Sequence, residues 1–162
     1  INKDASFIIQ RVGYTDDQED PWRLNKKKYG KIDWTKNFSG GSEVNQQKKQ
    51  NKKEEVIGEI VSRSANLTFA IWDDAVEDGD SISLQINNEW IANGFPVKNK
   101  AQFLQITLKP GPNVITFHAD NLGSISPNTS VLEIINGKSR KSFHIETDTD
   151  KTNQVRIYYE VK

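Results

Sequence analysis

The strongest constraint on the fold is a period of two. In Ile82-Ser83-Leu84-Gln85-Ile86 and again in Phe103-Leu104-Gln105-Ile106-Thr107-Leu108, apolar and polar residues alternate. Successive side chains of an extended strand point to opposite faces, so alternation marks a ribbon with one dry and one wet face. Strand-like segments stand at 55–61, 66–72, 81–87, 89–91, 102–108, 113–118, 130–135, 142–146 and 154–161. Turn-forming residues separate them: Asp78-Gly79, Asn93-Gly94, Pro110-Gly111-Pro112-Asn113 and Asn136-Gly137. No segment keeps a helical apolar period for three turns. The pattern predicts an all-β chain, an antiparallel β-sandwich of Ig-like or C2-like type. Its core should collect Phe69, Ile71, Ile82, Leu84, Ile86, Leu104, Ile106, Ile115, Phe117, Leu132 and Ile134.

The sandwich pattern occupies 54–162. Residues 1–53 differ: one predicted strand at 6–12, then a long polar insertion. Asp16, Asp17, Glu19 and Asp20 precede Lys26, Lys27, Lys28 and Lys31, and 46–53 reads QQKKQNKK. Such residues bury too little apolar surface to offset the entropy of ordering them, which predicts a mobile tail at 40–53. Trp22, Tyr29, Trp34 and Phe38 break the rule. Four rings in a polar stretch predict an ordered Ω-like loop, packed on the sandwich or on a partner.

Composition narrows function by exclusion. Lys plus Arg and Asp plus Glu both number 22, so no net field draws nucleic acid. The lysine runs at 26–31 and 48–53 have aromatics nearby, as single-strand binders do, but adjacent acids cancel their charge. With no Cys, a disulfide framework and a thiolate zinc site are both excluded. No apolar run approaches the roughly 20 residues that span a bilayer. The lack of Met, even at position 1, points to a processed chain or a piece of a longer one, so a lipid anchor would lie outside it.

Carboxylates crowd the turn Trp72-Asp73-Asp74-Ala75-Val76-Glu77-Asp78-Gly79-Asp80. Charges this close repel unless the loop stays wet or a cation sits among them. Asp73, Asp74, Asp78 and Asp80, with Glu77, are candidate oxygen ligands for a structural Ca²⁺. The acidic spacing is not that of an EF-hand. The competing reading is a tight turn in which aspartates accept backbone N–H bonds and Gly79 takes a positive φ.

Trp22, Tyr29, Trp34 and Trp90 are the candidate partner-binding residues, because interfaces favour Trp and Tyr. The same rings could form a platform for sugar rings. Catalysis finds little support: His118 and His144 each stand alone in a strand pattern, and no G-x-S-x-G or H-x-x-x-H motif occurs. The segment at 121–129, Asn-Leu-Gly-Ser-Ile-Ser-Pro-Asn-Thr, reads as a structured turn.

Three stretches taken together resemble a β-sandwich domain of secreted proteins and surface lipoproteins of the Bacteroidota. They are the Asp73-Asp74…Asp78-Gly79-Asp80 turn, Leu84 to Trp90, and His118 to Thr129. That domain is similar in its D-N/D-x-x-x-D-G-D and N-L-G-x-I-P-P-N-T patterns, although Ser126 stands where the first Pro is expected. The resemblance covers about 66–160 and implies an extracellular, cell-surface or periplasmic location. The expected role is a non-enzymatic interaction module of a bacterial envelope protein that binds a protein partner. The rival is a carbohydrate-binding module of a polysaccharide-utilising system.

Overall fold

The computed structural model describes residues 20–39, 52–121 and 127–161. The strand expected at 6–12, most of the tail expected at 40–53 and the middle of the 121–129 turn lie outside the described residues. Among those described, nine strands form two sheets: β1 (Lys53–Ser62), β2 (Asn66–Trp72), β3 (Ser81–Ile86), β4 (Glu89–Pro96), β5 (Gln102–Thr107), β6 (Gly111–Asn121), β7 (Asn128–Asn136), β8 (Ser139–Thr147) and β9 (Lys151–Tyr159). One sheet runs β1-β9-β6-β3-β4 and the other β5-β2-β7-β8. They pack face to face as a β-sandwich. Every pairing is antiparallel except β1 with β9, which is parallel.

The alternation does what it predicts. Phe69, Ile71, Ile82, Leu84, Ile115, Phe117, Leu132 and Ile134 are fully buried, Ile106 is buried, and Ile86 and Leu104 pack against that cluster from its margin. Leu67, Ile145, Val155 and Ile157 join it, as do Trp22, Ile60, Val97 and Leu108.

One strand limit and one turn reading need correction. β4 does not end at Ile91 but continues to Pro96, and Asn93-Gly94 lies inside it. The pairing of β3 with β4 shifts register between Ile82 and Leu84, so Asn93 and Gly94 form a bulge, with Gly94 at φ 61° donating its amide to Ser83 Oγ. The hairpin turn is Asn87-Asn88, both at positive φ (49° and 70°). Asn tolerates that region better than most residues, and two successive positive φ values match the right-handed strand twist.

Residues 20–39 pack onto the sandwich and cross its β1-β9-β6-β3-β4 sheet in strand order. Arg23 bridges Ile60 on the free edge of β1, and the Val61 amide donates to the Trp22 carbonyl. A one-turn helix α1 (Lys26–Tyr29), capped by the Asn25 side chain, follows. Lys26 pairs with Glu59 at 2.8 Å, and Tyr29 stacks on Tyr158 of β9 with centroids 4.4 Å apart. Trp34 then meets the Arg156 guanidinium, Asn37 donates to the carbonyls of Pro110 and Pro112, and the Ser39 amide donates to the Asn87 carbonyl.

Candidate functional site

The acidic turn joins β2 to β3. Asp73 follows the last residue of β2 and Asp80 precedes the first of β3, so the turn crosses from one sheet to the other and brings both carboxylates to one end of the sandwich. Gly79, at φ 87°, turns the chain between Asp78 and Asp80. One oxygen each from Asp73, Asp78 and Asp80 lies within 4.8 Å of the others. Asp73 and Asp80 are 3% and 4% exposed, so this is not a wet surface cluster. Asp74, expected among the ligands, is exposed and stands outside the group. Glu77 is directed elsewhere and accepts the Asn99 amide at 3.0 Å.

Both sequence readings find a place in this turn. Asp73 Oδ1 accepts the Ala75 amide at 2.9 Å, an ordinary Asx turn. Asp80 is different. It receives the Thr129 amide, yet its Oδ1 is buried and meets no N–H or O–H donor, and the Asp78 carboxyl stands within hydrogen-bond reach of the Asp80 carboxyl. Burial, then that neighbour, then the charge on Asp73 push the Asp80 carboxyl up to about 7. A buried carboxylate without a donor is costly, and a hard cation with carboxylate ligands removes the cost. The three aspartates fit a divalent metal ion.

Asn99 was not among the expected site residues, and no local signal marks it: it is one more Asn in a polar turn. Its Nδ2 donates to the carbonyls of Asp73 (2.9 Å) and Ala75 (2.7 Å), which closes the acidic turn against the chain leaving β4.

The four candidate partner-binding residues separate. Trp22 is 3% exposed and belongs to the core, so its ring is not a partner surface; a polar neighbourhood in sequence hid a core residue. It sits beside Val61, Ser62, Asn136 and Ser139, between the edges of the two sheets, and Asp20 next to it pairs with Lys141 of β8 at 3.1 Å. Tyr29 and Trp34 are half-buried, each spending a face on β9. Lys28 and Arg63 flank Glu160, and burial together with Glu160 raises the Tyr29 phenol to about 12.

Trp90 remains 39% exposed, with its ring against His118 at 5.0 Å. It ends a row in register across the sheet: Trp90, Gln85, Thr116, Gln154, Val56. Gln85, Thr116 and Gln154 are buried to within a few per cent, and Gln85 holds His118 Nε2 at 2.9 Å. A sugar platform needs such polar groups open beside the ring, and here they are covered.

No helix among the described residues is long and apolar enough to cross a membrane. No protein-family model, curated protein or solved structure matches the chain.

Proposed function

We propose that this chain is a non-enzymatic interaction module of a bacterial envelope or extracellular protein, that it binds a protein partner along its β4–β5 side, and that Ca²⁺ at Asp73, Asp78 and Asp80 is structural. One observation carries the reading: the two sides of the sandwich are treated differently. On one side β1 meets β8, and Trp22 with Arg23 closes that seam from within the chain. On the other side β4 and β5 are the outer strands of their sheets, with no further strand paired to them among the described residues. Their large apolar side chains are exposed: Trp90 at 39%, Ile91 at 38% and Phe103 at 62%. Edge strands offer unpaired N–H and C=O groups, and aromatic anchors beside them suit an added strand or a docked face. The resemblance of 66–160 to a domain of secreted and surface proteins supports the envelope setting. Calcium is favoured among metals because all three ligands are hard carboxylate oxygens and the turn offers no His or Cys.

The test is retention of envelope proteins by the immobilised chain, compared with Trp90→Ala and Phe103→Ser. Loss of the same captured protein in both variants, with unchanged melting, supports the reading. Capture that both variants retain removes the β4–β5 side from it. Binding to a polysaccharide affinity gel that Trp90→Ala abolishes, with no protein captured, replaces it with the carbohydrate-binding module.

A further inference from the structure

The metal turn and the exposed side share a backbone. Leaving β4, the chain passes directly along the acidic turn. The Val97 amide donates to the Asp80 carbonyl at 2.9 Å, and the Lys98 carbonyl accepts the Asp73 amide at 2.7 Å. Asn99 then donates its side chain to Asp73 and Ala75 and its amide to Glu77. Gln102, the first residue of β5, reaches back to the Pro96 carbonyl at 2.7 Å. Residues 97–99 thus bond to the main chain of two of the three candidate ligands, and 97–101 are the link that sets β4 against β5.

We infer that a divalent cation held by Asp73, Asp78 and Asp80 orders the 97–101 link and thereby governs the β4–β5 side. This inference rests on the Ca²⁺ reading above. Without a cation, buried carboxylates within 4.8 Å repel one another and push the ends of β2 and β3 apart. A cation reverses the sign. It draws Asp73 and Asp80 together, and their backbone groups are the partners of Val97 and Lys98. Beyond the cluster itself, the Oδ1 of Asp80, at a residue 4% exposed, is buried and has no hydrogen-bond partner, an orphan that a positive ligand would satisfy. Coupling between sites is reciprocal, so a partner seated on β4–β5 tightens the cation site in turn. The side chain of Asn99 is the part of this relay that touches the turn without being a ligand.

Two measurements on the full chain test the inference. Tb³⁺ luminescence, competed by Ca²⁺, reports occupancy, and hydrogen exchange followed by mass spectrometry reports order at 97–101, with 53–62 as a control. In the wild type, millimolar Ca²⁺ should slow exchange at 97–101 by about tenfold or more and leave 53–62 unchanged. Asn99→Ala should still bind Tb³⁺, within about threefold of wild type, but lose most of that protection. Cation binding by the wild type with no change at 97–101 overturns the coupling and leaves the metal site standing. Protection that persists in Asn99→Ala overturns the assigned relay. Absence of cation binding by the wild type overturns the metal reading and this inference with it.

Discussion

The Phe143 ring on β8 lies over the α-carbon of Gly58 on β1. A Cβ at position 58 would fall 2.9 Å from Phe143 Cζ, closer than real side chains approach, and closer still to the neighbouring ring carbon. Here the two sheets meet edge to edge, and the register of β1 against β9 slips at the adjacent residue to admit the contact. Gly58→Ala should therefore cost about 1–3 kcal/mol through overpacking, read as a lower denaturation midpoint with unchanged m-value. Phe143→Leu added to Gly58→Ala should recover part of the loss. If Gly58→Ala is neutral, the ring has room to move and the seam is looser than described.

Asp80 makes stability depend on pH with a definite sign. Its carboxyl titrates near 3.8 when unfolded and near 7 when folded, because burial and Asp78 disfavour its charge. Between those values the folded state holds the extra proton. The metal-free chain should accordingly be most stable at low pH on this account and lose a few kcal/mol as pH rises through about 4 to 7. Asp80→Asn cannot ionise there, so it should flatten the decline and melt above the wild type at about pH 8 in chelator. Millimolar Ca²⁺ should restore the wild type at that pH and leave Asp80→Asn unmoved, since only a native-state ligand shifts the melt. Thermal melts across the range, with and without chelator, decide it. A metal-free melting temperature that climbs through the window would mean Asp80 is ionised and otherwise satisfied.

What the sequence revealed followed from which physical signal was local. Alternation is local, so the strands around Ile71, Leu84 and Ile106 and the direction of their side chains were legible. The density of aspartates is local too, and it located the turn whose three carboxylates come together. Leaving Asp74 out was not local: it depends on the fold around the turn, where the Thr129 amide of β7 reaches the Asp80 carboxylate while Asp74 stays exposed. Asn93-Gly94 misled because the same positive-φ preference serves a bulge and a turn, and only the partner strand distinguishes them. The parallel pairing of β1 with β9 joins segments about a hundred residues apart and leaves no trace in either.

Trp22 and Trp90 should respond oppositely to truncation. Trp22 is buried in the core at the seam; Trp22→Ala opens a large cavity and should cost about 3–5 kcal/mol, enough to unfold much of the domain at ambient temperature. Trp90 stands on the outer strand β4 with its ring against His118 and is 39% exposed, and Trp90→Ala should cost no more than about 1 kcal/mol. Denaturant melts of the two variants give the comparison directly. Equal costs would show that residues 20–24 dress the sandwich rather than complete it.

The last prediction concerns the Asn87-Asn88 turn, where conformation and hydrogen bonding can be separated. Asn87 is 2% exposed at φ 49°, its Nδ2 donates to Asn113 Oδ1 at 2.9 Å, and its Oδ1 accepts the Val114 amide at 2.9 Å. Asn113 in turn ties Lys109 and Gly111, so the side chain of Asn87 supports the turn that opens β6. Asn87→Gly keeps the positive φ and loses only the side-chain bonds, and should cost about 1–2 kcal/mol. Asn87→Ala loses the bonds and adds strain at that φ, and should cost roughly 1 kcal/mol more than Asn87→Gly. A higher cost for Asn87→Ala than for Asn87→Gly, read from chemical denaturation, is the expected result. Equal costs for the two Asn87 variants would mean that the hydrogen bonds alone hold the turn and the backbone there is unstrained.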